Sequence, residues 1–597
     1  MNIKYAILSI LSLVVTEKGV AQDKFHHADE LCDVRYESVL STFPSILQER
    51  PSIEDADTPI YDFCEANEDG EILYYRYVEQ DYCELVAGPG KYAGIVRVPS
   101  HVTEQQTPVV GVGLMAFRDC EDLSEVYLPQ TMLYLESFSF YGCKKLRRVD
   151  LNESLVAIGR NAFEGCNELS SINIPQSLEY VGYEAFFNCP QMVTPLYNEK
   201  YFFYYPMMMY VDWDEETTYT IPDGIEVIGE GAFIFTYLDE VVIPNTVKTI
   251  SDYAFDGSEI KRLIIPPSVE TIGDNAFGQT YIEEVLVPSS VKNFGRSVFN
   301  NGRRLKKAVL ENPLDSIPEN TFGNCTMLKE VTYPSSVHKL GSWAFAHCNE
   351  LPRLPDLSNI DTLGVEVFSQ CYALESISIP SSISFIPEKT FYMCSGIKEV
   401  DLPEGLERID GYAFWQCPKL ESITIPSSVK SIGNSAFAFC KGLKTIVLPE
   451  HLVSIGENAF SQLDELESIS LPESLESIGR DAFSYGNKLK DIYVRWQTPI
   501  LLEQDIFDSY QHLQGMTLHV PVGTAESYAS APYWSNFSHI VEDASGISLI
   551  KSEGDSSYRT RPIKRLVEGK IIISSSSGTI LPDGRQMRTS SGAMRRR

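Results

Sequence analysis

Beyond its first residues the sequence has no run of about 18 apolar residues, so nothing in the mature chain would span a bilayer as a helix. Positive charge is scarce: Lys and Arg number 49 against 82 Asp and Glu, a net charge of −33. Such a surface repels phosphate backbones, so no nucleic-acid partner is expected. Catalytic and metal motifs are missing as well. There is no HExxH, no G-x-S-x-G, no CxxC pair and no D-x-D-x-D-G loop. The nine histidines are scattered, and no metal or cofactor site is expected. Gly111-Val112-Gly113 leads into no phosphate loop.

What is present is an ordinary folded composition, 43% hydrophobic and 22% charged, which excludes bulk disorder and a collagen-like chain. The 597 residues exceed what one compact core usually holds. The chain therefore has several domains or grows along one axis. Its start has the order of an export signal. Lys4 is followed by an apolar stretch, Tyr5 to Val15, and by Gly19-Val20-Ala21, a small-x-small cleavage site. Residues 1–21 are read as the signal and 22–57 as a flexible N-terminal segment.

The decisive feature is a period. A Phe, usually after Ala, recurs at Phe117, Phe140, Phe163 and Phe186, then from Phe233 through Phe255, Phe277 and Phe299 to Phe483. The step is 23 residues, shortened to 22 between Phe233 and Phe299, and a 47-residue gap after Phe186 leaves room for one degenerate coil. The clearest unit is Leu420 to Cys440. Leu420, Ile423 and Ile425 are apolar, and polar Thr424 between the last two marks a short strand with one buried face. Pro426 ends the strand because it offers no N–H. Val429 and Ile432 turn inward on the next side of the coil, Ala436 is small, and Phe437 fills the core. One such unit cannot bury its own apolar face. Stacking coils about 4.8 Å apart makes parallel strands and a continuous core, a rod or superhelix of roughly 80 Å. Gly433 follows Ile432 and recurs in many coils, yet Pro318 and Pro387 occupy the same slot. Proline fixes φ near −65°, so a left-handed backbone is not obligatory there and tight packing of the turn explains the glycine.

The unit LxxIxIPxSVxxIGxxAFxxC resembles the repeat of BspA-like, or Treponema pallidum-type, leucine-rich-repeat proteins, over about residues 95 to 510. The resemblance implies a β-rich leucine-rich-repeat solenoid or superhelix with parallel stacked strands and little helix. Residues 58–110, with Ile72 to Tyr77 and Tyr92 to Pro99, resemble the strand pair that precedes such arrays. Residues 111–510 form the array, about 17 coils on this reading, and 511–545, with Leu518 to Gly523, Trp534, Phe537 and Ile540, resemble the closing cap. The family further implies an exported or surface protein, adhesin-like, that binds a host, matrix or bacterial partner of protein or glycan character. A scaffold without a ligand is the second reading, and an enzyme carried on the solenoid the third.

Ten of the 13 cysteines stand three residues after the repeat Phe, among them Cys120, Cys371 and Cys440. Thr236, Ser258, Thr280 and Gly302 substitute there, which points to a size requirement rather than ligation. Cys32, Cys64 and Cys83 lie outside the array, where one disulfide is open, Cys64–Cys83 among the options. Thirteen residues before each Phe is a slot between two buried positions, which must face solvent. Most coils are polar there. Val242, Ile264, Leu286 and Val309 are not, and stack as one apolar stripe. Beside them the degenerate coil holds Tyr201, Phe203, Tyr205 and Tyr210. These eight are the candidate partner-binding residues. The acidic run Asp212 to Glu216 reads as a solvated turn. Residues 546–597 form a basic tail. From 547 on it is net +7, leaving −40 for the rest. Lys570 to Ser574 is strand-like and Asp583-Gly584-Arg585 turn-like, a faint resemblance to the C-terminal module of secreted Bacteroidetes-type proteins. Sorting, anchoring and disorder stay open for it.

Overall fold

A computed structural model describes residues 61–79, 82–103, 106–204, 217–507, 513 and 515–543, with three strands in the tail. It is a parallel β-solenoid of about 19 turns with almost no helix, against about 17 expected for the array alone. Most coils contribute two strands where the sequence pattern indicated one. Ser422–Thr424 pairs in parallel with Thr445–Val447, keeping Ile423 and Ile425 inside and Thr424 outside. Val429 then closes a turn on the Pro426 carbonyl at 3.1 Å. Two-residue strand Ser431–Ile432 follows and pairs with Arg408–Ile409 on one side and Ser454–Ile455 on the other. Two strands per coil give two ladders, one on each side of the core.

The Phe side holds no strand but has its own ladder. The N–H groups of Ser435, Phe437 and Phe439 donate to Glu457, Ala459 and Ser461 of the next coil at 2.7, 2.9 and 3.0 Å. Every second peptide must therefore point its N–H the same way. Positive φ at Ser435 (55°) and Phe439 (63°) achieves this, and the same two slots are positive along the array. Such φ values are costly for residues other than glycine, and the inter-coil hydrogen bonds offset the cost. Gly433 is not among the positive-φ residues. A Cβ there would lie 2.5 Å from the Gly411 nitrogen of the preceding coil, so packing is what demands glycine.

Phe rings stack inside this ladder. Phe414, Phe437 and Phe460 have centroids 5.2 and 5.6 Å apart and nearly parallel planes. Behind them the cysteines do more than fill space. The Cys440 thiol donates to the Phe414 carbonyl of the previous coil at 3.1 Å, and Cys371 to Phe345 at 3.3 Å. In the 22-residue stretch Thr236 and Thr280 donate instead to their own coil's Phe233 and Phe277 carbonyls, at 2.9 and 3.0 Å. The slot thus accepts a donor where one is present, but Gly302 and Leu463 fill it without one and the Ser258 hydroxyl there has no partner, so size remains the common requirement.

The core is divided rather than continuous. The degenerate coil places strand Tyr201–Tyr204 antiparallel to Leu196–Tyr197 and parallel to Val227–Ile228. Neighbouring residues of a strand point to opposite faces. Phe202 accordingly enters the core that follows, stacked on Phe233 at 4.8 Å, while Phe203 enters the core that precedes, with Phe186 and Leu196.

Both ends are closed by departures from the repeat. At the N-terminus Phe63–Ala66, Ile72–Glu79 and Tyr82–Val86 form an antiparallel meander. Its last strand starts the second ladder by pairing in parallel with Thr107–Val112. Gly94–Arg97 starts the first ladder on Leu123–Tyr127. Ile72 to Tyr77 and Tyr92 to Pro99 are therefore not partners of each other, as the resemblance implied, but seed different ladders. The Cys64–Cys83 disulfide is not formed either. Both are free, Cys64 exposed and Cys83 buried, and Ile72–Glu79 lies between their strands, which puts them two strand spacings apart, beyond disulfide reach. Cys32 lies outside the described residues.

At the C-terminus Asp491–Val494, Thr517–Val520 and His539–Glu542 prolong the first ladder. Helix Ala525–Ser530 and the 3-10 turn Trp534–Asn536 replace the Phe side. Buried Tyr528 and Trp534 seal it, donating to the carbonyls of Trp496 (2.8 Å) and Ile500 (3.0 Å). In the tail Ile563–Val567, Lys570–Ser575 and Gly578–Ile580 form an antiparallel sheet, with the strand at Lys570 as expected. The Asp583 turn, the export signal and the 22–57 segment are outside the described residues.

Candidate functional site

The first ladder brings the stripe together. Thr220 lies beside Val242, a bridge between Glu240 and Arg262 sets Ile264 next, and Leu286 pairs with Val309, which pairs in turn with Thr332. Val242, Ile264 and Leu286 are 40%, 76% and 48% exposed, and Val309 is half-buried. Val447 is also exposed, but it stands alone next to Thr424. Strand alternation forces the outward direction, because Val241, Ile265, Val285, Val287 and Ala308 occupy the core on either side. One row further out, charges alternate in sign. Arg262 bonds Glu240 at 3.0 Å and Lys307 faces Glu330 at 3.7 Å. The stripe is thus an apolar strip beside a row of alternating charge.

The aromatic half of the expected site is not assembled with it. Phe203 is buried in the core at 3% exposure and offers no contact surface, a correction that follows from the strand serving two cores. Tyr201 is half-buried, with Lys200 over its ring at 5.0 Å. Tyr205 and Tyr210 lie outside the described residues.

Reactive chemistry is suppressed elsewhere. Burial pushes the Cys325 and Cys394 thiols up to about 12, and raises those of Cys348 and Cys371 as well. Thiolate, the nucleophile and metal ligand, is therefore scarce near neutral pH. Among the described residues no group of three or more His, Cys, Asp or Glu side chains is placed to hold a metal ion. No helix among them is long and apolar enough to cross a membrane.

A second surface is absent from the sequence reading. A trough runs beside the second ladder, with a cleft of about 450 Å³ between Asp252 and Pro318 and one of about 660 Å³ between Arg296 and Asp410. Its floor is the slot that alternates Gly and Pro: Gly295, Pro318, Gly341, Gly364 and Pro387. One wall carries Asn293, Ser316, Lys339 and Thr362, six residues before each Phe. The opposite wall carries Asp274, Arg296, Glu319, Ser342 and Glu388. The signal was in the sequence, as small floor residues flanked by polar ones at a fixed interval, but its concavity was not.

The family comparison agrees with this architecture. The family described as BspA type Leucine rich repeat region, in six copies, matches residues 102–202, 214–329, 297–421 and 407–531. The chain belongs to this family. No curated relative matches the sequence. Among solved structures, a leucine rich cell surface protein of Faecalibacterium prausnitzii is 24% identical, over 66% of this chain and 95% of its own, with a TM-score of 0.38. A leucine-rich repeat protein of Bacteroides ovatus is 23% identical, over 72% and 98%, with a TM-score of 0.32. The T. pallidum leucine rich repeat protein is 18% identical, over 55% and 91%, with a TM-score of 0.13.

Proposed function

We propose that the chain is an exported recognition protein, surface-held or secreted and adhesin-like, which binds a protein or glycan partner through its repeat surface. The observation that carries this reading is the apolar stripe of Val242, Ile264, Leu286 and Val309, exposed in register on one ladder. A strip of apolar side chains in water costs free energy that a partner's apolar face recovers on binding. Family membership supports a repeat-based interaction role, and such repeat proteins are typically non-enzymatic. The export half of the proposal rests on residues 4–21 of the sequence, and deleting 1–21 should leave the protein inside the cell.

The test is a pull-down from matrix and mucus extracts with mature protein and with the Ile264→Asp/Leu286→Asp variant. Saturable capture of a partner by the parent and its loss in the folded variant is the expected result. Unchanged capture by the variant removes the stripe from the site, and no saturable partner removes the recognition reading.

A further inference from the structure

The second ladder is interrupted at two junctions between regular coils. Asn293–Phe294 does not pair with Ser316–Ile317, and Thr362–Leu363 does not pair with Phe385–Ile386. Both junctions hold a proline in the glycine slot. Gly341 and Gly364 donate their N–H groups to Ile317 and Leu340 of the preceding coil at 2.8 Å. Pro318 and Pro387 have no N–H to give to Phe294 and Leu363. The neighbouring bond is lost as well. His338 donates to Asp315 at 3.0 Å and Glu407 to Ser384 at 2.7 Å, but neither Asp315 nor Ser384 makes the equivalent bond to the coil before it among the described residues.

The two junctions differ in the first ladder. At Pro318 it is intact: Glu284–Val287 pairs with Lys307–Leu310, and Glu311 donates to Val287 at 2.9 Å. At Pro387 it lapses too. Glu330–Thr332 pairs only with the coil before it and Ser376–Ser378 only with the coil after it. The coil between them, with Pro352 and Pro355 at the strand position, has no strand there. At other regular steps one ladder lapses while the other holds. The first is unpaired between Glu399–Asp401 and Ser422–Thr424, yet the second runs unbroken through five strands from Phe385 to Ile478. The step from Phe368 to Phe391 is thus the one between regular coils, among the described residues, where both strand ladders stop. What crosses it lies mainly on the Phe side. Glu366, Phe368 and Gln370 donate to Glu388, Thr390 and Tyr392 at 3.0, 3.1 and 2.7 Å, and the Cys394 thiol to Phe368 at 3.1 Å. Away from that side the Ser382 hydroxyl reaches the Ile360 carbonyl. The apolar core continues beneath, with the Phe368 and Phe391 rings 5.8 Å apart against 5.3 Å for the next pair. On the second-ladder side lies the 660 Å³ cleft, walled by Leu363 and Val365 of one coil and Phe385 and Glu388 of the next.

Coils joined by hydrogen bonds on every side resist bending, since a tilt lengthens the bonds on the side that opens. A step bonded along one side tilts about that side and keeps those bonds. We infer that the step between Phe368 and Phe391 is a hinge. The coils up to Phe368 and the coils from Phe391 on are two stiff arms that flex about the Phe side, widening or narrowing the cleft beside Pro387. Pro318 makes no second hinge, because the first ladder pins its junction. The apolar stripe lies wholly in the first arm, so the hinge does not rest on the recognition reading. A partner seated in the cleft would touch both arms and fix their angle.

The experiment is pulsed electron resonance between two nitroxide labels on the full chain carrying Cys32→Ser and Cys64→Ser, the array cysteines being buried. Labels go on exposed positions of one slot, seven residues before the Phe, in pairs four coils or roughly 19 Å apart. His338→Cys/Lys430→Cys spans the hinge. Its distance distribution should be at least about twice as broad as that of Ser384→Cys/Glu476→Cys, which lies within the second arm. Lys248→Cys/His338→Cys crosses the Pro318 junction alone and should be as narrow as the pair within the arm. Pro387→Gly with Pro352→Lys and Pro355→Thr gives the step the donor and the strand residues of its neighbours. It should narrow the spanning pair to the width of the others. Equal widths for the three parent pairs overturn the inference. So does a Pro318 pair as broad as the spanning pair, or a spanning pair left broad in a folded repaired variant. If the repaired variant does not fold, the three parent pairs decide alone.

Discussion

Two kinds of coil share one solenoid. Most 23-residue coils carry cysteine behind the Phe, and thiols such as those of Cys440 and Cys371 reach back to the preceding Phe carbonyl, tying neighbours together. In the 22-residue stretch from Phe233 to Phe299, Thr236 and Thr280 turn the same bond inward, onto their own coil. That stretch also carries most of the apolar strand face. The difference shows that a small polar side chain in the slot can bond the Phe carbonyl of either neighbour, while Gly302 and Leu463 fill the slot with no such bond. Where the bond falls within a coil, one connection between coils is lost, and the Phe stack and the ladders hold the coils together.

The largest effect tests whether the two kinds are equivalent in the core. Phe437→Ala and Phe277→Ala should each cost about 3–5 kcal/mol, the usual range for a buried Phe. Chemical denaturation, followed with hydrogen exchange coil by coil, reads this out. A much smaller cost at Phe277 would mean that the short coils pack differently.

Asp256 gives a pH handle confined to the short coils. Burial raises its carboxyl to about 6 from the ordinary 3.8. The folded state therefore holds the proton over a window where the unfolded chain has released it. Stability contributed by the neutral carboxyl is present below about 4 and is lost as pH rises through about 6. Asp256→Asn should stabilise the protein at pH 7 by on the order of 2 kcal/mol, with the gain vanishing toward pH 4. Melting curves across that window check it, and a gain that does not depend on pH would show that the titration is not the cause.

Next in size is the donor itself. Thr280→Val and Cys371→Val each remove one buried hydrogen bond to a Phe carbonyl and should cost about 0.5–1.5 kcal/mol. The comparison sharpens if exchange increases mainly within one coil for Thr280→Val and across two for Cys371→Val. The smallest effect is expected on the stripe, where Ile264→Asp/Leu286→Asp should change stability by no more than about 0.5 kcal/mol per site while altering partner capture. A large loss of stability would show that the stripe is covered in the folded chain.

Much of this was legible in the residues. Period 23 placed every Phe, every strand-ending Pro and the outward slot of Ile264 and Leu286, because one-dimensional stacking copies the same environment coil after coil. The slot of Gly433 was also legible: two prolines in it excluded a left-handed requirement, and the backbone agrees. The second ladder was not, since a two-residue strand such as Ser431–Ile432 is too short to show a period of two. Nor was the fate of Phe203. Tyr201 to Tyr205 reads as an aromatic cluster, and only pairing tells which rings face a core. The left-handed slots at Ser435 and Phe439 escaped notice because they hold almost any residue, their strain being offset by bonds to another coil.

The sequence by itself determined the solenoid, its register and which positions face water, because these follow from local alternation repeated many times. Tertiary structure alone decided what lies between coils. The division of the core at Phe202 and Phe203, the thiol-to-carbonyl bonds and the trough all depend on distances between residues about one period apart. Those distances are set by how one coil rests on the next.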